Sequence, residues 1–226
     1  MDLAIAAYKN DKSVVKILAW TNNRVNALNK EVRRSLYPNS GMLEEGEILF
    51  AKETIMLKAD EGEKKQIFMH SCAECTVIDF KEYSGFRHQM VSLPFKAYRV
   101  NVEDDMGKEA TLLMIHEDSW ELIKESISNE KKRILAMDAS QRKHAWREFY
   151  EFLELYNLVL SGTGGIMHRL QYGYAITVHQ SQGGTFPYCF VDTGNIYGCK
   201  DNVMRNKLLY VAYSRASKEL FCCSKY

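Results

Sequence analysis

No apolar run in this chain approaches the ~18 residues that a membrane span requires, although 46% of its 226 residues are hydrophobic. A transmembrane helix is therefore not expected, and there is ample material for a core. The opening stretch MDLAIAAYKNDK puts an acid at position 2 and no basic region ahead of an apolar one. A signal peptide is not expected, and the cytoplasm is the expected compartment. Zinc spacing is missing too. Cys72 and Cys75 form one CxxC with His70 nearby, but no second ligand pair follows at a readable interval, so reduced cysteines and no metal site are expected. Internal repeats and low-complexity segments are absent. So is GxxxxGK[ST], the loop that cradles nucleotide phosphates. SGTGG at 161–165 is glycine-rich, but no Gly-Lys-Ser/Thr follows it, and it reads as a plain loop. The adjacent Asp104 and Asp105 fall in a turn between strands, where a magnesium role is not expected. No carboxylate cluster has metal-binding spacing, which sets a nuclease aside.

The net charge of +1 conceals a gradient. Residues 1–40 hold seven Lys/Arg against three Asp/Glu, and 161–226 hold the same, whereas 41–160 hold sixteen against twenty-three. Two basic ends around an acidic middle fit an anion met by the folded ends. They equally fit plain variation of surface charge.

What is present begins with a short apolar helix over 3–8 and VVKILAW at 14–20, nearly all apolar, as a strand buried on both faces should be. TNNRVNALNKEVRRSLYP follows. Thr21 or Asn22 can cap a helix, Val25, Leu28, Val32 and Leu36 share one face, and Pro38 stops it. The texture changes at Gly46. EILFA, QIFMH, CTVIDF, KAYRVNV and ATLLMIH are short β-type runs, separated by turn or charged segments such as ADEGEKK, EYSGF and EDDMGKE. Five short strands at that spacing predict a small antiparallel barrel. Asp118 and Glu121 predict an acidic capping box ahead of ELIKESI, and SQRKHAWREFYEFLELYNLVL continues with helical spacing. From Gly173 an α/β texture returns, with strands at YAIT, YCFVDT and ELFCC and a helix at NKLLYVAYSRA. The expected fold is an α/β domain with a parallel sheet, made of 1–46 and 116–226, interrupted by a barrel over 47–115.

Three segments carry candidate chemistry: LAWTNNRVNALN (18–29), YAITVHQSQGGTF (174–186) and KLLYVAYSRASKEL (207–220). The second crowds Thr177, His179, Ser181 and Gln182 at the carboxyl end of a strand, where open α/β sheets bind ligands. Gly183 and Gly184 let backbone approach an anion. A polar, uncharged cluster suits a nucleic-acid backbone, and it equally suits a turn with no ligand. Arg215, at the end of an apolar helix, fits either a solvated side chain or a cation presented to a nucleoside triphosphate.

In this order, TNxxVxxLN, TVHxxQG and LLYVAxSRA resemble the motif series of the second RecA-like domain in RecD-like and Dda-like helicases, the superfamily 1 branch that moves 5′ to 3′ on single-stranded DNA. The resemblance is specific in the last fifty residues and looser elsewhere. It implies a RecA-like domain with an SH3-like barrel inserted between the first two motifs, working in a bacterial or phage-infected cell. It also implies that Arg215 is an arginine finger on the γ-phosphate, with Gln182 and Gly183 beside the nucleotide. Thr177, His179, Ser181, Asn22 and Asn23 are implied on the single-stranded DNA side. Gln180 stands where a lysine is often found, and Thr185 where related helicases place an acid on the ribose. Tyr210 and Tyr213 are expected to pack their helix rather than stack on bases. ATP and Mg²⁺ would be held mainly by a first RecA-like domain, in the same longer polypeptide or on a separate one. The competing reading is a non-catalytic module that binds single-stranded nucleic acid or a protein, with Phe68, Phe80, Tyr83, Phe86 and Tyr98 as candidate stacking rings.

Overall fold

The computed structural model describes residues 2–11, 14–57, 65–160 and 165–223. In chain order the elements are α1 (Asp2–Asn10), β1 (Val15–Ala19), α2 (Asn22–Leu36), β2 (Ile48–Ala51), β3 (Ile55–Leu57), β4 (Gln66–Met69), β5 (Glu74–His88), β6 (Val91–Asp104) and β7 (Glu109–Ile115). Then come α3 (Trp120–Ala136), α4 (Ala139–Leu155), β8 (Leu158–Leu160), β9 (Ile166–His168), β10 (Leu170–Tyr172), β11 (Ala175–Thr177), β12 (Phe186–Val191), α5 (Thr193–Tyr197), α6 (Asn202–Tyr213) and β13 (Ala216–Cys222). Two compact units result: 1–40 with 172–226, and 41–171. The division differs from the expected one at 46 and 116, because α3 and α4 pack into the core of the 41–171 unit.

The unit built from the chain ends is a four-stranded sheet in the order β11-β1-β12-β13, parallel throughout. Every residue of β1 is buried, as its nearly all-apolar run requires of a central strand, and its one charged residue, Lys16, donates to the Gly173 carbonyl at 2.6 Å. Thr21 caps α2 by accepting from the Arg24 amide, and Val25, Leu28 and Val32 turn inward as their spacing predicts. The edge strand β11 has only three residues and is secured by side chains. Buried Asn29 donates to the Ala175 carbonyl at 3.0 Å and accepts from the Ala175 amide at 2.7 Å, taking the place of a neighbouring strand. The Tyr8 hydroxyl donates to the Tyr174 carbonyl.

The 41–171 unit has an open five-stranded sheet, ordered β10-β2-β5-β6-β7, with separate two-stranded ribbons β3–β4 and β8–β9. No closed barrel forms among the described residues: the outer strands β10 and β7 do not pair with each other. One core gathers Phe95, Ala97 and Ile115 of the sheet with Ile123, Ile127, Phe149 and Phe152 of α3 and α4. EYSGF, expected as a turn, lies inside the 15-residue strand β5. Gly85 there has φ +84° and the β5–β6 register shifts between Tyr83 and Phe86, so the glycine serves a bulge within a continuing strand. The expected capping box is also absent. Ser119 precedes α3 without a side-chain cap bond, and Asp118 binds Lys96 at 2.9 Å instead. SGTGG and ADEGEKK fall almost entirely outside the described residues.

Among the described residues no helix is long and apolar enough to cross a membrane, and no group of three His, Cys, Asp or Glu could hold a metal. Cys72 is exposed and Cys75 buried in β5, where burial pushes its thiol up to about 12. Asp104 closes the β6–β7 turn, its carboxylate accepting from the amides of Met106 and Lys108.

Candidate functional site

The parallel sheet sets two working edges. Ala19 pairs with Thr177 at the carboxyl edge, with Val191 ending β12 alongside. Phe186 lies two residues before Tyr188, which pairs with Val15. It pairs with Ala216 at the amino edge, next to Arg215. The register separation of the edges is six residues, about 20 Å at ~3.3 Å per residue. The sequence candidates divide between them, and residues 178–185 connect the two.

At the carboxyl edge, Asn22 and Asn23 are exposed in the first turn of α2. Behind them stands a network absent from the sequence reading. The Asn195 side-chain oxygen accepts from the amides of Trp20 and Thr21 at 2.8 and 3.0 Å, and its nitrogen donates to the Thr21 hydroxyl at 3.3 Å. Asp192 caps α5 by accepting from the Asn195 amide and pairs with Arg24 at 2.5 Å. Arg24, Glu31, Asp192 and Asn195 line a cavity of about 510 Å³ over Ile17 and Phe190. The available signal was DTGN directly after a buried strand: an acid three residues before an amide, at a strand's carboxyl end, is a capping pattern.

The turn after β11 is tightly self-bonded. The Gln180 side-chain oxygen accepts from the Thr177 amide and hydroxyl at 3.1 and 3.0 Å, and the Thr177 hydroxyl accepts from the Gln180 amide at 3.2 Å. Gln180 thus closes the turn locally, a task lysine, which has no acceptor, cannot perform. Thr177 and Ser181 are buried, and the Ser181 hydroxyl donates to the Val178 carbonyl at 2.8 Å. Both residues, expected on the DNA strand side, have their hydroxyls engaged within the turn. His179, Gln182 and Gly183 are exposed. Gly183 has φ +86°, a conformation that side chains with a Cβ resist.

At the amino edge, Arg215 follows α6. Its Nη1 donates to the Gly184 carbonyl at 2.9 Å, its Nε to the Val211 carbonyl at 3.1 Å, and its Nη2 to the Ser214 hydroxyl at 2.8 Å. All three acceptors are neutral, and no carboxylate pairs with this guanidinium among the described residues. The structure therefore brings Gly184 of the second segment against Arg215 of the third. Asn22 and Asn23 lie at the opposite edge. Tyr210 does not pack its helix as expected: it is 77% exposed, and Tyr213 is exposed as well, because Leu208 and Ala212 form the inward face of α6.

The unit is thus an open parallel α/β domain with a cation at one sheet edge and amide-bearing side chains at the other. Residues 172–223 match the family described as UvrD-like helicase C-terminal domain, a stretch covering less than half of the chain. No curated protein matches. Among solved structures the chain is similar to the Pif1 helicase from Candida albicans, with 14% identity and TM-score 0.44 over 92% of this chain and 44% of that one. It is also similar to the Pif1 helicase from Bacteroides in complex with ADP-AlF3 and single-stranded DNA, with 10% identity and TM-score 0.44 over 92% of this chain and 40% of that one. The chain spans less than half the length of either.

Proposed function

We propose that this chain is the second RecA-like portion of a superfamily 1 DNA helicase of the 5′ to 3′ branch, forming one wall of an ATP cleft and part of a track for single-stranded DNA. One observation carries the reading: the Arg215 charge is held by neutral acceptors beside a glycine turn, with no acid paired to it among the described residues. An arginine paired with a carboxylate has its charge engaged in that bond. One held by carbonyls and a hydroxyl keeps its charge for an arriving anion.

In this reading Arg215 stabilises charge developing on the γ-phosphate. Gln182 and Gly183, exposed on the same connecting turn, lie beside the nucleotide, and the missing Cβ at Gly183 lets backbone come close. His179, Asn22 and Asn23 face the DNA strand, while Thr177 and Ser181 shape the turn between the two ligands. The phosphate loop and the Mg²⁺ ligands belong to a first RecA-like domain, so the chain alone neither hydrolyses ATP nor unwinds DNA. The strands within 47–115 would be the inserted subdomain of this branch, here an open sheet.

The test joins the chain to such a first domain and measures DNA-stimulated ATP turnover. Arg215→Ala lowers kcat by about 10³ or more while ATP binding persists; full activity in that variant sinks the finger assignment. A second reading, a binding module without catalysis, is favoured by Tyr83, whose ring has Lys81 at 5.4 Å and Arg99 at 5.3 Å. Phe68 and Tyr98 are buried and Phe86 packs against the core, which removes them as stacking platforms. Loss of single-strand binding in Tyr83→Leu, with no ATP turnover in any assembly, would favour that reading.

A further inference from the structure

Ser214 is more than a spacer before Arg215. Its hydroxyl donates to the Val211 carbonyl at 2.9 Å, which spends its one hydrogen and turns its lone pairs toward the guanidinium. It then accepts from Arg215 Nη2 at 2.8 Å and from Nε at 3.3 Å. Val211 accepts from Nε as well, at 3.1 Å, so helix backbone, hydroxyl and guanidinium form a closed triangle at the last turn of α6. The Gly184 carbonyl supplies the fixed point on the other side, 2.9 Å from Nη1. The guanidinium has five N–H groups, and these acceptors leave one hydrogen on each terminal nitrogen unengaged among the described residues. Two N–H groups of one guanidinium presented together are the form in which arginine meets phosphate oxygens.

We infer that Ser214 is a positioning residue. Its hydroxyl fixes the rotation of the Arg215 plane, so that the two free N–H groups project together rather than sweeping through the rotamers of an exposed arginine. The inference rests on the finger reading of Arg215, and it adds the group that aims the finger. A hydroxyl is required because the residue must donate to Val211 and accept from arginine at once. Alanine can do neither, whereas threonine can do both. Ser214 is exposed and contributes little to the core, so its replacement spares the fold.

Two measurements test this. On the chain itself, the ¹⁵Nε–Hε signal of Arg215, assigned by its loss in Arg215→Lys, reports the order of the guanidinium. It is rigid in the native chain and in Ser214→Thr, and becomes mobile in Ser214→Ala at unchanged melting temperature. Equal order in all three overturns the inference whatever the function of Arg215. In the assembly with a first RecA-like domain, Ser214→Ala lowers kcat about tenfold, the effect of one ~1.4 kcal/mol interaction lost from the transition state. KM for ATP stays unchanged, Ser214→Thr restores the rate, and Ser214→Ala adds nothing to Arg215→Ala. If Arg215→Ala collapses turnover while Ser214→Ala matches the native rate, the finger stands and the positioning role falls. If Arg215→Ala itself is fully active, the finger reading falls, and the NMR result alone decides whether Ser214 holds the side chain.

Discussion

His168 lies against Trp120, their ring centroids 4.8 Å apart, with both imidazole nitrogens shielded from solvent and neither making a well-formed hydrogen bond. Burial pushes its pKa down to about 4, with the nearby Ile115 backbone pulling the other way. The sign follows from linkage. The folded value lies below the ordinary 6.5, so the unfolded chain binds the proton more readily. This site's contribution is complete above about 6.5 and is lost as the pH falls from there toward about 4, at up to ~1.4 kcal/mol per pH unit. The melting temperature of the native chain should drop between pH 7 and pH 5, and His168→Phe, which fills the site without a titrating group, should drop less. Parallel curves would show that the acid sensitivity originates elsewhere. Arg215 is the opposite case: a charge kept accessible, held by groups that do not neutralise it. Both were present in the sequence as letters. What distinguishes them, ring nitrogens shut away from water and partners without counter-charge, depends on residues distant along the chain.

Among the elements, β11 shows how much a single buried amide can hold. Asn29→Ala leaves the amide and carbonyl of Ala175 without their side-chain partner inside the unit, at a cost of about 2–3 kcal/mol. Faster hydrogen exchange at the Ala175 amide, with β12 and β13 amides unchanged, is the expected signature; uniform acceleration across the sheet would show that the loss is not local. The periodic elements were legible in the sequence: the buried run of β1, the Thr21 cap and inward face of α2, and the strands and helix after Gly173 all occur where their pattern puts them. Elements set by distant partners were not. β5 runs straight through EYSGF because a bulge absorbs Gly85 and β6 pairs on either side of it. Asp118 leaves its expected capping role for Lys96 on a neighbouring strand. The Asp192–Asn195 network, although close in sequence to YCFVDT, acquires meaning only when β12 is laid beside β1.

At the scale of the molecule, each unit has its own core. The sheet and helices of 41–171 should therefore fold as an excised fragment, with cooperative thermal unfolding and dispersed amide signals; a fragment lacking both would show that its core needs the flanking chain. The two basic chain ends are both in the parallel unit, so labelled single-stranded DNA should bind the intact chain more weakly as salt rises. The 41–171 fragment should carry little of that binding. Binding that stays constant from low to moderate salt would remove the phosphate backbone as the partner.

The central strand β1 is made early, and both of its partners are made late. Among the described residues it pairs with β11 and β12, so during synthesis VKILA has no partner until translation has passed residue 177, and not both until it has passed 191. At roughly 5–20 residues per second, that wait is on the order of ten seconds or more. The intervening 41–171 unit can collapse in that interval, while an apolar strand remains unpaired behind it. Nascent chains stalled between residues 150 and 190 are thus the species most exposed to aggregation. Protection of β1 on the ribosome is therefore expected to raise the yield of folded protein, before either sheet edge meets a ligand.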